Sequence, residues 1–117
     1  MLTLTQMARG TKEVIHSGIT ATATSSYRES KSHNAMILYV DFTAGSGTWT
    51  IKIQGKMPDS VDTYIDMYDV NNNPMELTSI TADRARLFVG IPDDFKIVAT
   101  EDGDGATISV AYELISV

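Results

Sequence analysis

The sequence predicts an all-β fold, an antiparallel β-sandwich of about seven strands, and three observations lead there. Apolar residues alternate with a period of two in the clearest segments, and no window sustains an apolar stripe of helical period. Thr and Ser together make up 24 of the 117 residues, and with recurrent Val and Ile they favour a pleated backbone over a helical one. Clusters of Gly, Pro, Asn and Asp fall at short intervals, which leaves room for hairpin turns but not for the crossover helices of a parallel sheet.

Taken in order, residues 1–17 stand apart as polar and weakly patterned, and are expected to form an extended arm or an edge strand ahead of a sandwich domain over 18–117. A short first strand is expected over 18–24. Residues 35–43 are almost continuously apolar, as in a central strand covered on both faces or packed against a partner. Over 48–54 the alternation is clean, with Trp49, Ile51 and Ile53 on the inward face. A brief strand follows over 64–68. The segment 85–91 offers Leu87, Val89 and Ile91 to the core, and 94–100 offers Phe95, Ile97 and Ala99. The last strand, 106–114, directs Ala106, Ile108, Val110, Tyr112 and Leu114 inward and Thr107, Ser109 and Glu113 outward. Between these strands lie turn-forming runs at 44–47, 69–74, 92–94 and 101–105.

Composition narrows the function. Nine basic and fifteen acidic residues give a net charge of −6; with no cluster of Lys and Arg, nucleic-acid binding is not expected. The chain contains no cysteine, which excludes a disulfide framework, a thiolate metal site and a cysteine nucleophile. The longest apolar run, Ala35 to Val40, is far too short for a membrane-spanning helix, and residues 1–10 show no signal-peptide pattern. Charge is unevenly divided along the chain. Residues 1–58 hold three acids and six bases, whereas 59–117 hold twelve acids and three bases. If the fold keeps these halves apart, opposite poles of two copies attract, which makes a homo-oligomer a candidate state.

Local motifs do not assemble an active site. Glu101-Asp102-Gly103-Asp104-Gly105 has the acidity of a calcium loop, but Ala106 and Thr107 stand where a ligand and the obligatory glycine belong. A tight acidic hairpin turn is the reading adopted, and no metal or other cofactor is expected. Gly45-Ser46-Gly47 lacks the Lys-Ser or Lys-Thr of a phosphate loop. His16 and His33 have no second histidine or carboxylate at ligand spacing, and Asp93-Asp94 follow a proline in a turn where exposed charge is the default. Tyr64 and Tyr68, four residues apart, share a face and could form an aromatic platform for a glycan, as could Tyr39 beside a groove.

The order of residues resembles small structural proteins of tailed bacteriophages and prophages. The similarity runs through Ser25-Ser26-Tyr27, then the strand from Ala35 into Thr43-Ala44-Gly45-Ser46-Gly47-Thr48, then Thr50-Ile51-Lys52-Ile53-Gln54. It continues with Ile80-Thr81-Ala82, Leu87-Phe88-Val89-Gly90, a strand over 95–100 and Thr107-Ile108-Ser109-Val110. It covers roughly 18–116 in collinear order. The chain departs from the pattern at Gly55-Lys56-Met57-Pro58-Asp59-Ser60, where a second tryptophan is usual, and at Asp102-Gly103-Asp104-Gly105.

The resemblance implies an immunoglobulin-like sandwich and a virion structural role without catalytic residues. The expected function is therefore a non-enzymatic virion protein, a capsid decoration or auxiliary head protein that binds the major capsid protein. A tail or baseplate-associated protein bound to tail proteins, or a glycan-binding module, is the alternative. Leu2, Leu4, Met7, Arg9 and Lys12, on the segment 1–17, are the candidate partner contacts.

Overall fold

The computed structural model describes residues 9–58, 63–103 and 106–117. Among the described residues there are ten strands and no helix: β1 (Arg9–Ile19), β2 (Ala23–Thr24), β3 (Arg28–Glu29), β4 (Ala35–Ala44), β5 (Trp49–Lys56), β6 (Tyr64–Asp66), β7 (Glu76–Ile80), β8 (Arg84–Val89), β9 (Asp94–Glu101) and β10 (Thr107–Ile115). The first sheet has the order β1-β10-β4-β8. The second is built on the central pair β9 and β5; β2 and β3 add to the free side of β9, and β6 and β7 to that of β5. All the pairings are antiparallel.

The alternation read from β5, β9 and β10 is the alternation of the core. Trp49, Ile51, Ile53, Phe95, Ile97 and Ala99 face inward from the second sheet; Met36, Leu38, Val40, Ile108, Val110, Tyr112 and Leu114 face them from the first. Phe95 and Tyr112 meet edge to face across the gap, ring centroids 5.4 Å apart. The Trp49 indole N–H donates to the Ala106 carbonyl at 3.2 Å, so its burial leaves no orphan donor.

Where the chain departs from strict alternation, the structure differs from the sequence expectation. In β8 the core residue is Phe88, 1% exposed, while Leu87 is 48% exposed. Gly90, at φ +87°, resets the backbone before Ile91 turns inward, so Phe88 and Ile91 are both buried although three positions apart. The unread strand β7 has a similar cause. Its buried residues Leu77 and Ile80 flank Ser79, which takes φ +52°, and the register against β5 shifts between Trp49 and Ile51. The strand expected over 18–24 is divided: Gly18 and Ile19 end β1, and Ala23–Thr24 form β2 in the other sheet.

Residues 9–17 make up most of β1, so the boundary drawn between 17 and 18 falls inside one strand, which pairs with β10 of the same chain. This strand hid from pattern reading because it is bulged. Val14 opposes Ala111 and His16 opposes Val110, leaving Ile15 as the extra residue. The bulge turns His16 into the protein, where it is 7% exposed.

The two sheets are joined along both open sides by side chains. On the β1 side, the His16 ring lies with Nε2 3.0 Å from the Ile97 carbonyl of β9; because a carbonyl only accepts, Nε2 carries the proton. Beside it, Arg28 of β3 donates Nε–H and Nη2–H to the two carboxylate oxygens of Glu13 at 2.8 and 2.9 Å. The Tyr112 hydroxyl donates to the same carboxylate at 2.6 Å. These bonds, Arg28 first, hold the Glu13 carboxyl below its ordinary value. Burial, and then the bond to Glu13, push the Tyr112 phenol up. On the opposite side, Arg84 and Arg86 of β8 donate to the Thr78 and Glu76 carbonyls of β7 at 3.0 and 3.1 Å. The Arg86 guanidinium also lies over the Phe88 ring, 4.7 Å from its centroid, and 3.6 Å from Asp69.

Two outcomes are expected. Phe88→Ala should cost about 3–5 kcal/mol in denaturant unfolding, while Leu87→Ala should cost roughly 1 kcal/mol or less; equal losses would mean that β8 is assigned the wrong face. Glu13 binds its proton less readily folded than unfolded, so the stability it contributes is present above the ordinary carboxylate value and is lost as pH falls through the depressed one. Thermal midpoints measured from about pH 5 down to pH 3 should fall, and Glu13→Gln should flatten part of that fall.

Candidate functional site

The two outer faces of the sandwich differ in kind. On the first sheet the strand registers place outward residues in transverse rows. Val14, Ala111, Tyr39 and Ala85 form one row across β1, β10, β4 and β8; Lys12, Glu113, Ile37 and Leu87 form the next. Val14 is 60% exposed and Leu87 48%, and Ile37 and Tyr39 are half-buried with no strand of the described residues layered over them. Polar groups gather toward the β1 edge of this face. There Lys12 Nζ stands 5.9 Å from the Tyr39 ring centroid, and the Tyr39 hydroxyl lies 3.5 Å from Glu113. Beyond Tyr39 the face opens into a hollow of about 450 Å³ between β4 and β8, whose lining includes Tyr39, Val40, Asp83, Arg84 and Ala85. Asp83 is held there by accepting the Phe42 backbone N–H at 2.8 Å.

The centre of the second sheet's outer face is polar. Thr50, Lys52 and Gln54 point out from β5, and Lys96 and Thr100 from β9. Gln54 and Lys52 both bond Asp66, at 2.9 and 3.1 Å, and in that order they hold its carboxyl below the ordinary value. Aliphatic side chains grouped around an aromatic ring, with Lys12 and Glu113 toward the β1 edge, have the composition of a protein-binding surface; the hydrogen-bonded centre of the second sheet's face does not.

No protein-family model matches the chain, and no curated protein matches it in sequence. Among solved structures it is similar to the SPBc2 prophage-derived protein YomS, with a TM-score of 0.58, 12% sequence identity and coverage of 99% of this chain and 100% of that one. That likeness shows the fold.

Of the candidate partner contacts, Leu2, Leu4 and Met7 lie outside the described residues. Arg9 opens β1 opposite Ile115, and Lys12 stands on the apolar face beside Tyr39. The proposed Tyr64–Tyr68 platform does not form. Strand β6 ends at Asp66, Tyr68 bridges to Pro74 beyond it, and the two rings line separate hollows. The partner of Tyr64 in its hollow is Tyr27, which sequence spacing could not place there. His33 is taken up locally, its Nδ1 2.9 Å from the Ser30 carbonyl.

Part of the acidic turn 101–105 falls outside the described residues. Asp102 within it accepts the Thr50 hydroxyl at 3.0 Å and so ties the turn to β5. Among the described residues no three His, Asp or Glu side chains converge as a metal site. Dialysis against EDTA should leave the thermal midpoint unchanged; a fall of several degrees, reversed by added calcium and abolished in Asp102→Asn, would assign calcium to this turn.

Proposed function

We propose that the protein is a non-enzymatic structural component of a phage particle, a capsid decoration or auxiliary head protein. In this reading it docks on the shell through the outer face of the first sheet. The observation that carries the proposal is the sidedness of the sandwich: a face bearing Val14, Ile37, Tyr39 and Leu87 on one sheet, and a charged, hydrogen-bonded face on the other. Fold likeness to a prophage-derived protein supports a phage setting, as does the collinear sequence pattern. The immunoglobulin-like assignment belongs to the same proposal and rests on that pattern.

A decoration protein needs a fold that forms alone and one surface that loses water on binding. Aliphatic groups supply about 25 cal/mol per Å² of apolar area covered, and the half-buried tyrosine is a suitable anchor. Lys12 is the candidate contact that this face carries, and it would sit at the rim. A net charge of −6 keeps the protein from competing for the packaged genome.

Leu87→Asp and Ile37→Asp test the reading. Each should reduce co-sedimentation with purified heads about tenfold or more, while the isolated protein still melts in one cooperative transition. Recovery of the wild-type protein only with tails, or only in the soluble fraction, overturns the decoration role.

A further inference from the structure

We propose that the outer face of the second sheet carries a binding site for a neutral oligosaccharide, in the hollow between Tyr27 and Tyr64. The hollow has a volume of about 210 Å³ and is lined by Tyr27, Glu29, Lys56, Tyr64 and Asp94. The strand register builds it. Glu29 pairs with Asp94, Lys56 pairs with Tyr64, and the pairing of Gly55 with Phe95 brings Asp94 beside Lys56. Four side chains thus run in one row across β3, β9, β5 and β6. With strands about 4.8 Å apart, the row is roughly 14 Å long, an extent that suits a short oligosaccharide better than a single ring.

The chemistry of the row selects the ligand. Tyr27, two residues before Glu29 and so in the adjacent row, borders the Glu29 end of the hollow with 56% of its surface exposed. Tyr64 stands at the other, its ring oriented by Lys96, whose Nζ lies 4.3 Å from the centroid. Aromatic rings at both ends offer flat apolar surfaces to the C–H faces of sugar rings. Between them the carboxylates of Glu29 and Asp94 only accept hydrogen bonds, and Lys56 only donates. Sugar hydroxyls do both, so a polyol satisfies all three. An anionic ligand meets two carboxylates, a cationic one meets Lys56 and Lys96, and an apolar one strips water from charged groups without replacing it. Because this hollow and the apolar face lie on opposite sides of the sandwich, the site does not depend on the docking proposal.

The isolated protein is to be titrated with maltotriose, cellotriose and triacetylchitotriose, with binding read by saturation-transfer NMR. At least one should bind saturably with a Kd in the millimolar range or below. Tyr27→Ala and Glu29→Gln should each weaken that binding about tenfold, and Tyr68→Ala should leave it unchanged. Both Tyr27 and Glu29 are exposed, so the variants should keep the wild-type melting transition, which is measured alongside. Failure of all three saccharides to bind overturns the proposal. So does binding that Tyr27→Ala does not weaken, or binding of an oligolysine peptide in their place.

Discussion

A sandwich of two open sheets has two seams where the inner faces would meet water, and in this protein side chains close both. On one seam the bulge in β1 turns His16 into the interior to reach the Ile97 carbonyl, and the Glu13–Arg28 pair spans from β1 to β3 beside it. On the other, Arg84 and Arg86 reach from β8 to two carbonyls of β7, doing with guanidinium groups what a further strand would do with its backbone. Arginine suits this position because its planar donors satisfy fixed acceptors while its stem and flat face cover apolar neighbours such as Phe88. The residues buried between the sheets, from Trp49 to Tyr112, are shielded from solvent at both sides by these seams.

The same closure frees the outer faces to diverge. With the core complete, the outer face of the first sheet is left with exposed Val14 on one edge strand, exposed Leu87 on the other and half-buried Ile37 and Tyr39 between them, apolar area that attracts other chains. Such a surface is tolerated where it has a partner. On the second sheet Lys52 and Gln54 both donate to Asp66, a pattern that favours contact with water and polar molecules. The structural asymmetry is therefore across the thickness of the sandwich rather than between the halves of the sequence.

Legibility in the sequence followed backbone regularity. The inward faces of β5, β9 and β10 could be read residue by residue, though not their ends, because a period-two rule holds wherever neighbouring strands keep register, and their inward residues are those of the core. Strand β1 could not, since a bulge erases the alternation that would have announced it. In β8 the rule chose Leu87 over Phe88 because Gly90 changes the backbone's hand just before Ile91. The apolar character of 35–43 was legible; which sheet face it would leave uncovered was not. Tyr64 stood out, but its companionship with Tyr27 exists only through the pairing of β3 with β9. Local composition carries no trace of such long-range pairing.

The pairing of β1 with β10 bears on how the molecule is made. Ribosomal synthesis is vectorial, and β1 emerges long before the strand on which it must zip. Its tertiary bonds, from His16 to Ile97 and from Glu13 to Tyr112, close loops of 81 and 99 residues. Loop-closure entropy places such contacts late on the folding route. A nascent chain therefore holds this histidine-bearing segment unpaired, and the seam on that side can shut only once β10 is available to it.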